Sequence, residues 1–465
     1  MTSEAPKVKE EHSVKEILAY SNGFFIDTVA SQFFGFLIFT FYFTIVGLNI
    51  NLITVGFIIW SLWDAFNDPM MGGLSDRTKT KWGRRKPYIV MGIIPTAIIL
   101  VLLWLPPEGS QLTIFIYFII MTLLYELFYT MFSLNQTALF PEMYQNLEDR
   151  AKANNIIQIV GVVGLFFAFL APSFFIPNYT DKRYAVNYVY AGIFFAIIIL
   201  IAGFLFVKYG IKERLEYSKD SDKAPSLFNS VKLSLKNKAF RTYVVANFTI
   251  YYVFGMLPVI TPLYGRFVLN IESAFLLSIL LGLAFISAAI FINLWRKVSL
   301  KVGIKNGLIY AMIAFIICLV PFMFITEIIG AIIAYFLVGI GLAGAMFFRV
   351  IATSTVIDDD ELRTGVRREG AYMGTFALIN RLNIIAVYLT ISIVFNSVGW
   401  AVFDPKLATA ETVFGLRALI FLFPAIALVI GIISMMHFPI NKERYEEIKA
   451  ETDKLHEQKK MELSA

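Results

Sequence analysis

The chain alternates long apolar runs with short polar breaks, and the runs are apolar on every face rather than along one stripe. A helix needs about 20 such residues to cross a bilayer core of roughly 30 Å. Twelve runs meet that length, near 16–46, 50–74, 87–106, 111–140, 150–176, 187–208, 239–265, 273–295, 306–326, 328–350, 371–398 and 413–438. Strands of a membrane barrel would be about 10 residues long with alternating polarity, so the pattern predicts an all-α membrane protein with 12 transmembrane helices. The longest polar segment divides the runs six and six. This predicts an N-terminal six-helix bundle at 1–209, a cytoplasmic linker at 210–238, a C-terminal six-helix bundle at 239–439 and a charged cytoplasmic tail at 440–465. The tail, NKERYEEIKAETDKLHEQKK, has Glu-to-Lys pairs at helical spacing and reads as a solvated helix.

Composition agrees: 58% of the 465 residues are hydrophobic and 16% charged, too apolar a balance for the surface of a water-soluble globule of this length. Nearly all of the 40 Lys and Arg fall between runs on one side, which places both termini in the cytoplasm. Arg349, Arg381 and Arg417 lie inside the runs. The first run is too long for a signal-peptide core and is expected to stay in the mature protein. The net charge of +6 is explained by topology, so no nucleic-acid partner is expected. Cys318 is the single cysteine, which rules out an intrachain disulfide.

Two patterns imitate enzyme chemistry. GIGLAG at 339–344 has dinucleotide-binding spacing, but it sits mid-run with no strand before it. Its small residues suit close helix contact in the membrane instead. His12, His437 and His456 lie outside the middle of any run and have no zinc-like spacing. No enzyme activity and no cofactor are expected.

Five ionisable residues inside runs carry the informative chemistry: Asp27, Asp64, Asp68, Glu126 and Arg381. Each costs at least roughly 2.5–3.5 kcal/mol at the bilayer centre, so function or an interior ion pair must account for it. For Glu126 both readings stay open. Asp64 and Asp68 are four residues apart and share one helix face with Asn67. Two carboxylates so close need a proton or a cation between them, and an all-oxygen set favours Na⁺, Li⁺ or H⁺ over a soft metal. Pro69 lacks an N–H and leaves the Ala65 carbonyl without its helical donor. Counted from the cytoplasmic ends, Asp27, Asp64, Thr130, Gln158 and Arg381 fall roughly 12–17 Å deep at 1.5 Å per residue, one layer near the midplane.

The stretch DAFNDPMMG (64–72) followed by SDRTKTKWGRRKP (75–87), together with IDDDELRTGVRREGAYMG (357–374), resembles the signatures of the glycoside-pentoside-hexuronide:cation symporters. The resemblance covers the whole chain. It implies the major facilitator fold, alternating access, and symport of a sugar, glycoside or related small solute with Na⁺, Li⁺ or H⁺. Carried over by position, it assigns the coupling cation to Asp64, Asn67, Asp68 and Thr130. It puts Arg381 at a lysine between the cation and sugar sites. A cytoplasmic gate falls on Asp76, Arg77, Arg84, Asp358, Glu361, Arg363 and Arg367.

The sugar positions depart from the family. Thr28 stands where the family has a sugar-binding aspartate, with Asp27 beside it, Ser133 replaces another, Thr137 a tryptophan and Gln158 an arginine. A galactoside would lose most of its charge-assisted hydrogen bonds there, and the solute is left open. Two other functions remain: a sodium-dependent lysolipid carrier of the same fold, and a membrane solute sensor or scaffold. The expected partners are a small sugar-like solute, a monovalent cation and the lipid bilayer. The chain is expected as a monomer in the cell membrane, multi-pass.

Overall fold

A computed structural model describes residues 12–144, 147–212, 231–232, 234–365 and 368–464. The described residues are all-helical. Helix α1 (Val14–Thr40) continues into a π-helical turn, Phe41–Val46. It is followed by α2 (Ile50–Arg77), α3 (Lys86–Leu102), α4 (Gln111–Met143), α5 (Leu147–Leu170) and α6 (Ala185–Leu205). Next come α7 (Lys238–Phe267), α8 (Ala274–Leu319), α9 (Ile328–Thr364) and α10 (Glu369–Ser397). Helices α11 (Ala410–Arg417) and α12 (Phe423–Met436) flank a further π-helical turn, Ala418–Leu422, and are followed by α13 (Lys442–Ser464). Most of the predicted linker, 213–230, lies outside the described residues.

Among the described residues, ten helical stretches are long and apolar enough to cross a membrane, and α3 is a shorter apolar helix. Their starts follow local chemistry: the Asn49 side chain accepts from the Asn51 amide and Ser110 from the Thr113 amide, capping α2 and α4. One difference from expectation lies in the break between the predicted runs 273–295 and 306–326. Helical hydrogen bonding runs through most of it, and the chain reverses at Gly303, which has φ 76 and ψ −178 inside α8. Only glycine adopts that backbone without strain. A Cβ there would also lie 2.8 Å from Lys442 Cβ at the start of the tail helix.

Within the bilayer, helices gain by close packing rather than by escaping water. The 339–344 run fits that role. A Cβ on Gly339 would overlap Ser287, on Gly341 the Phe315 backbone, and on Gly344 Ala311 and Trp295, so α9 lies directly on both limbs of α8.

The first six helices pack on one another, and the later ones do likewise. The two groups meet along α2 and α10, and at one end they are joined by hydrogen bonds. Ile50 N donates to Ala401 O at 2.8 Å, and Asn51 Oδ1 accepts from Ser392 Oγ and Asn396 Nδ2 at 2.9 and 2.8 Å. The Tyr179 and Ser278 hydroxyls meet at 2.8 Å, and Phe57 stacks on Tyr388 with centroids 3.7 Å apart.

The tail is helical as expected but is not simply solvated. Its Ile448 is buried, His456 Nε2 lies 3.2 Å from Glu361 Oε2 on α9, and Lys442 Nζ donates to the Lys301 carbonyl. An apolar residue once per few turns is enough to dock an otherwise charged helix, because its neighbours supply the apolar partner.

Gly303→Ala is expected to cost about 1–3 kcal/mol through its positive φ and the Lys442 overlap. Thermal unfolding of the purified protein in detergent checks this: an unchanged Tm would show that the reversal at Gly303 is not needed.

Candidate functional site

Between the two groups of helices lies a cavity of about 620 Å³. Its wall is mainly aromatic, with Phe34, Trp60, Tyr125, Tyr129, Phe254 and Phe285 among the rings. Polar side chains break it at few points. Asp64 and Glu126 enter from α2 and α4, and Arg349, Asn380 and Arg381 from α9 and α10.

The four-residue spacing puts Asp64 and Asp68 on the face of α2 turned toward α10, and Arg381 straddles both. Its Nε donates to Asp64 Oδ2 and its Nη2 to Asp68 Oδ2. Ser61, one turn before Asp64, donates to the Arg381 carbonyl at 2.7 Å and fixes the height of α10 against α2. The predicted coupling-cation carboxylates therefore hold a guanidinium in this conformation. Arg381, predicted among the solute residues, is bound to them while still lining the cavity.

Across α2, α4 completes the cluster. Asn67 Nδ2 donates to the Glu126 carbonyl at 3.1 Å, and its Oδ1 is buried with no hydrogen-bond partner among the described residues. Glu126 accepts from Trp60 Nε1 at 3.0 Å through Oε2 and from the Thr130 hydroxyl at 3.2 Å through Oε1. Asp64 and Glu126 are both buried and line the same cavity. The predicted set Asp64, Asn67, Asp68 and Thr130 is thus brought together, and Glu126, left undecided from sequence, joins it. Among the described residues no three Asp, Glu, His or Cys side chains converge as metal ligands.

The predicted solute residues divide. Asp27 Oδ1 accepts from the Tyr129 hydroxyl at 2.7 Å and from the Ser133 hydroxyl, so Asp27 and Ser133 form one unit behind Tyr129. Thr28 is not in the cavity wall; it packs near Gly164 of α5. Thr137 and Gln158 are exposed and also outside that wall. Conversely, Arg349 lines the cavity although only Arg381 was taken for the site. The signal was present, since Arg349 also interrupts an apolar run. Trp60 had none, because an indole in a membrane helix is unremarkable until its N–H finds Glu126.

The predicted gate residues pair largely within their own groups. Arg84 and Arg85 both bind Glu142 at 2.7 Å and lie 3.8 and 3.4 Å from Asp76. Arg363 pairs with Asp359 at 2.9 Å, Arg368 with Asp360 at 2.6 Å, and Glu361 with His456 of the tail. Arg77 is exposed, Asp358 is partly buried on α9, and Arg367 lies outside the described residues.

The family model described as MFS/sugar transport protein matches residues 21–442. An uncharacterized symporter, YjmB of Bacillus subtilis, is 26% identical over 436 residues, covering 90% of each chain. The isoprimeverose transporter of Lactiplantibacillus pentosus is 23% identical over 71% of this chain and 69% of its own. A shorter stretch of 144 residues is 35% identical to the uncharacterized symporter sll1374 of Synechocystis sp., covering 30% of this chain and 26% of that one. Among solved structures the nucleoside transporter NupG superposes with a TM-score of 0.67 at 15% identity, covering 91% of this chain and 99% of that one, a likeness of fold. These relatives are transporters and not enzymes. The chain belongs to the MFS/sugar transport protein family, as an integral multi-pass protein of the cell membrane that resembles the glycoside-pentoside-hexuronide symporters.

Proposed function

We propose that the protein is a cation-coupled symporter of a sugar-like solute, working by alternating access. The observation that carries this reading is the Arg381 clamp on Asp64 and Asp68. Three acidic groups, Asp64, Asp68 and Glu126, stand against one guanidinium in a largely buried place. An ion cluster so out of balance is a poor stabiliser, since desolvation offsets most of the attraction. Its use lies in exchange. A cation bound by Asp64, Asn67 Oδ1, Asp68 and the Thr130 hydroxyl competes with Arg381 for the same carboxylates. Arg381, once displaced, turns its donors toward the cavity it lines. Cation binding then raises solute affinity, and linkage makes the solute raise cation affinity by the same factor.

Among Na⁺, Li⁺ and H⁺, the two buried carboxyls Asp64 and Glu126 in one cavity wall favour H⁺, which a buried carboxyl can take up. In this reading α8 counts as two spans divided at Gly303, and α3 counts as one, giving twelve. The bundles are 1–209 and 239–439, joined by 210–238, with both termini and the 440–465 tail in the cytoplasm and the chain acting as a monomer. The hydrogen-bonded end at Asn51 and Asn396 is then the outer side, closed, with the solute route open toward the basic loops.

Asp68→Asn removes one partner of Arg381 and one cation oxygen. Solute counterflow in proteoliposomes is expected to lose its dependence on the coupling cation; full retention of that dependence would refute the assignment. Glu126→Gln is expected to flatten the dependence of uptake on external pH. A wild-type uptake that follows Na⁺ and ignores pH would assign the coupling to Na⁺ instead. With Cys318 as the native cysteine, the pair Asn51→Cys and Asn396→Cys is expected to stop transport on oxidation and to recover with a thiol reductant. Undiminished transport by the cross-linked protein would show that this end need not open.

A further inference from the structure

The cavity contains a second arginine, and its situation is the reverse of Arg381. Arg349 projects from α9, where Tyr243 OH donates to its backbone carbonyl at 2.8 Å. Its guanidinium carbon lies 5.0 Å from the centre of the Tyr251 ring, and its Nη1 donates to the Tyr251 hydroxyl. The ring and the hydroxyl together orient the planar fork. Nothing neutralises it: among the described residues no carboxylate pairs with Arg349, and its Nε is buried without a hydrogen-bond partner. The acids nearest the site chemistry are engaged elsewhere, Asp64 and Asp68 with Arg381, Glu126 with Trp60 and Thr130, and Asp27 with Tyr129 and Ser133. An arginine that served only packing would satisfy its donors on carbonyls, as Arg417 does with Ile325 O at 3.2 Å.

Resting on the reading of this cavity as the solute site, we propose that Arg349 binds an acidic group of the solute, so that the substrate is a sugar acid rather than a neutral glycoside. A guanidinium with open donors in an apolar wall matches a carboxylate or a sulfonate, each of which offers two oxygens to its fork. The other polar lining suits the hydroxyls of the same molecule. Asn380 Oδ1 accepts from Asn247 at 3.1 Å, which turns its amino group to the cavity as a donor. Asn383 Nδ2 donates to the Phe248 carbonyl at 2.7 Å, which turns its carbonyl oxygen inward as an acceptor. Arg349 as anion site, with Asn380 and Asn383 as donor and acceptor in the same wall and aromatic faces around them, fits a polyhydroxylated monoanion. The cavity of about 620 Å³ is ample for a sugar acid.

The test is competition by glucuronate, sulfoquinovose and glucose in counterflow and in binding to the full-length protein in proteoliposomes. Wild type is expected to bind one of the acids at least about tenfold tighter than glucose, the preferred acid telling carboxylate from sulfonate. Arg349→Gln is expected to lower that acid-to-neutral ratio by about 10- to 100-fold. Arg349→Lys, which keeps the charge and loses the fork, is expected to fall between, and it carries the test if the glutamine variant does not fold. Because the readout is a ratio within one sample, a general loss of folded protein does not mimic the result. Glucose bound as well as the acids, or a ratio unmoved in both variants, overturns the proposal and leaves sugar transport standing. Stabilisation by lysophosphatidylcholine with no response to any of the three sugars overturns both readings.

Discussion

The contact on which the rest of the site depends is the one guanidinium shared by two carboxylates, Arg381 between Asp64 and Asp68. It crosses from α10 to α2, the two helices along which the groups of helices meet, and it does so inside an apolar cavity where every unpaired charge is costly. Such a triad does little for stability, because three desolvated ions recover mostly what they lose. What it does provide is a definite position: α10 cannot slide along α2 without unfastening Arg381, and the Ser61 hydroxyl on the Arg381 carbonyl holds the same register from the backbone side.

Around that clamp the polar groups are incomplete in an instructive way. Asn67 offers a buried carbonyl oxygen with no donor among the described residues, and Glu126 is a buried carboxyl held by Trp60 and Thr130. The two arginines of the cavity differ in kind. Arg381 is neutralised by the protein, whereas Arg349 is oriented by Tyr251 and has no carboxylate partner among the described residues.

The scaffold that holds these groups is made by close approach rather than by capping alone. Glycines at 339, 341 and 344 let α9 touch both limbs of α8, which fixes Arg349 relative to the cavity. The reversal at Gly303 lies against the first residue of the tail helix, and the tail in turn reaches Glu361 through His456. The end of the chain is thereby packed onto the same helix that carries Arg349, through residues whose charge pattern suggested solvent exposure.

The sequence by itself determined where the apolar helices run, because hydrophobic continuity over about 20 residues is a local property. It also determined that Asp64, Asn67 and Asp68 share a face, since helical periodicity alone decides that. The Thr130 partner and the depth of Arg381 were legible through the same counting, with the family motif. Only the tertiary structure decided that Arg381 occupies both aspartates, that Glu126 enters the cluster through Trp60 and Asn67, that Thr137 and Gln158 stand outside the cavity wall, and that the charged tail docks. Each of those depends on the rotation and height of helices far apart in the chain, and periodicity within one helix carries no information about which neighbour its face will meet.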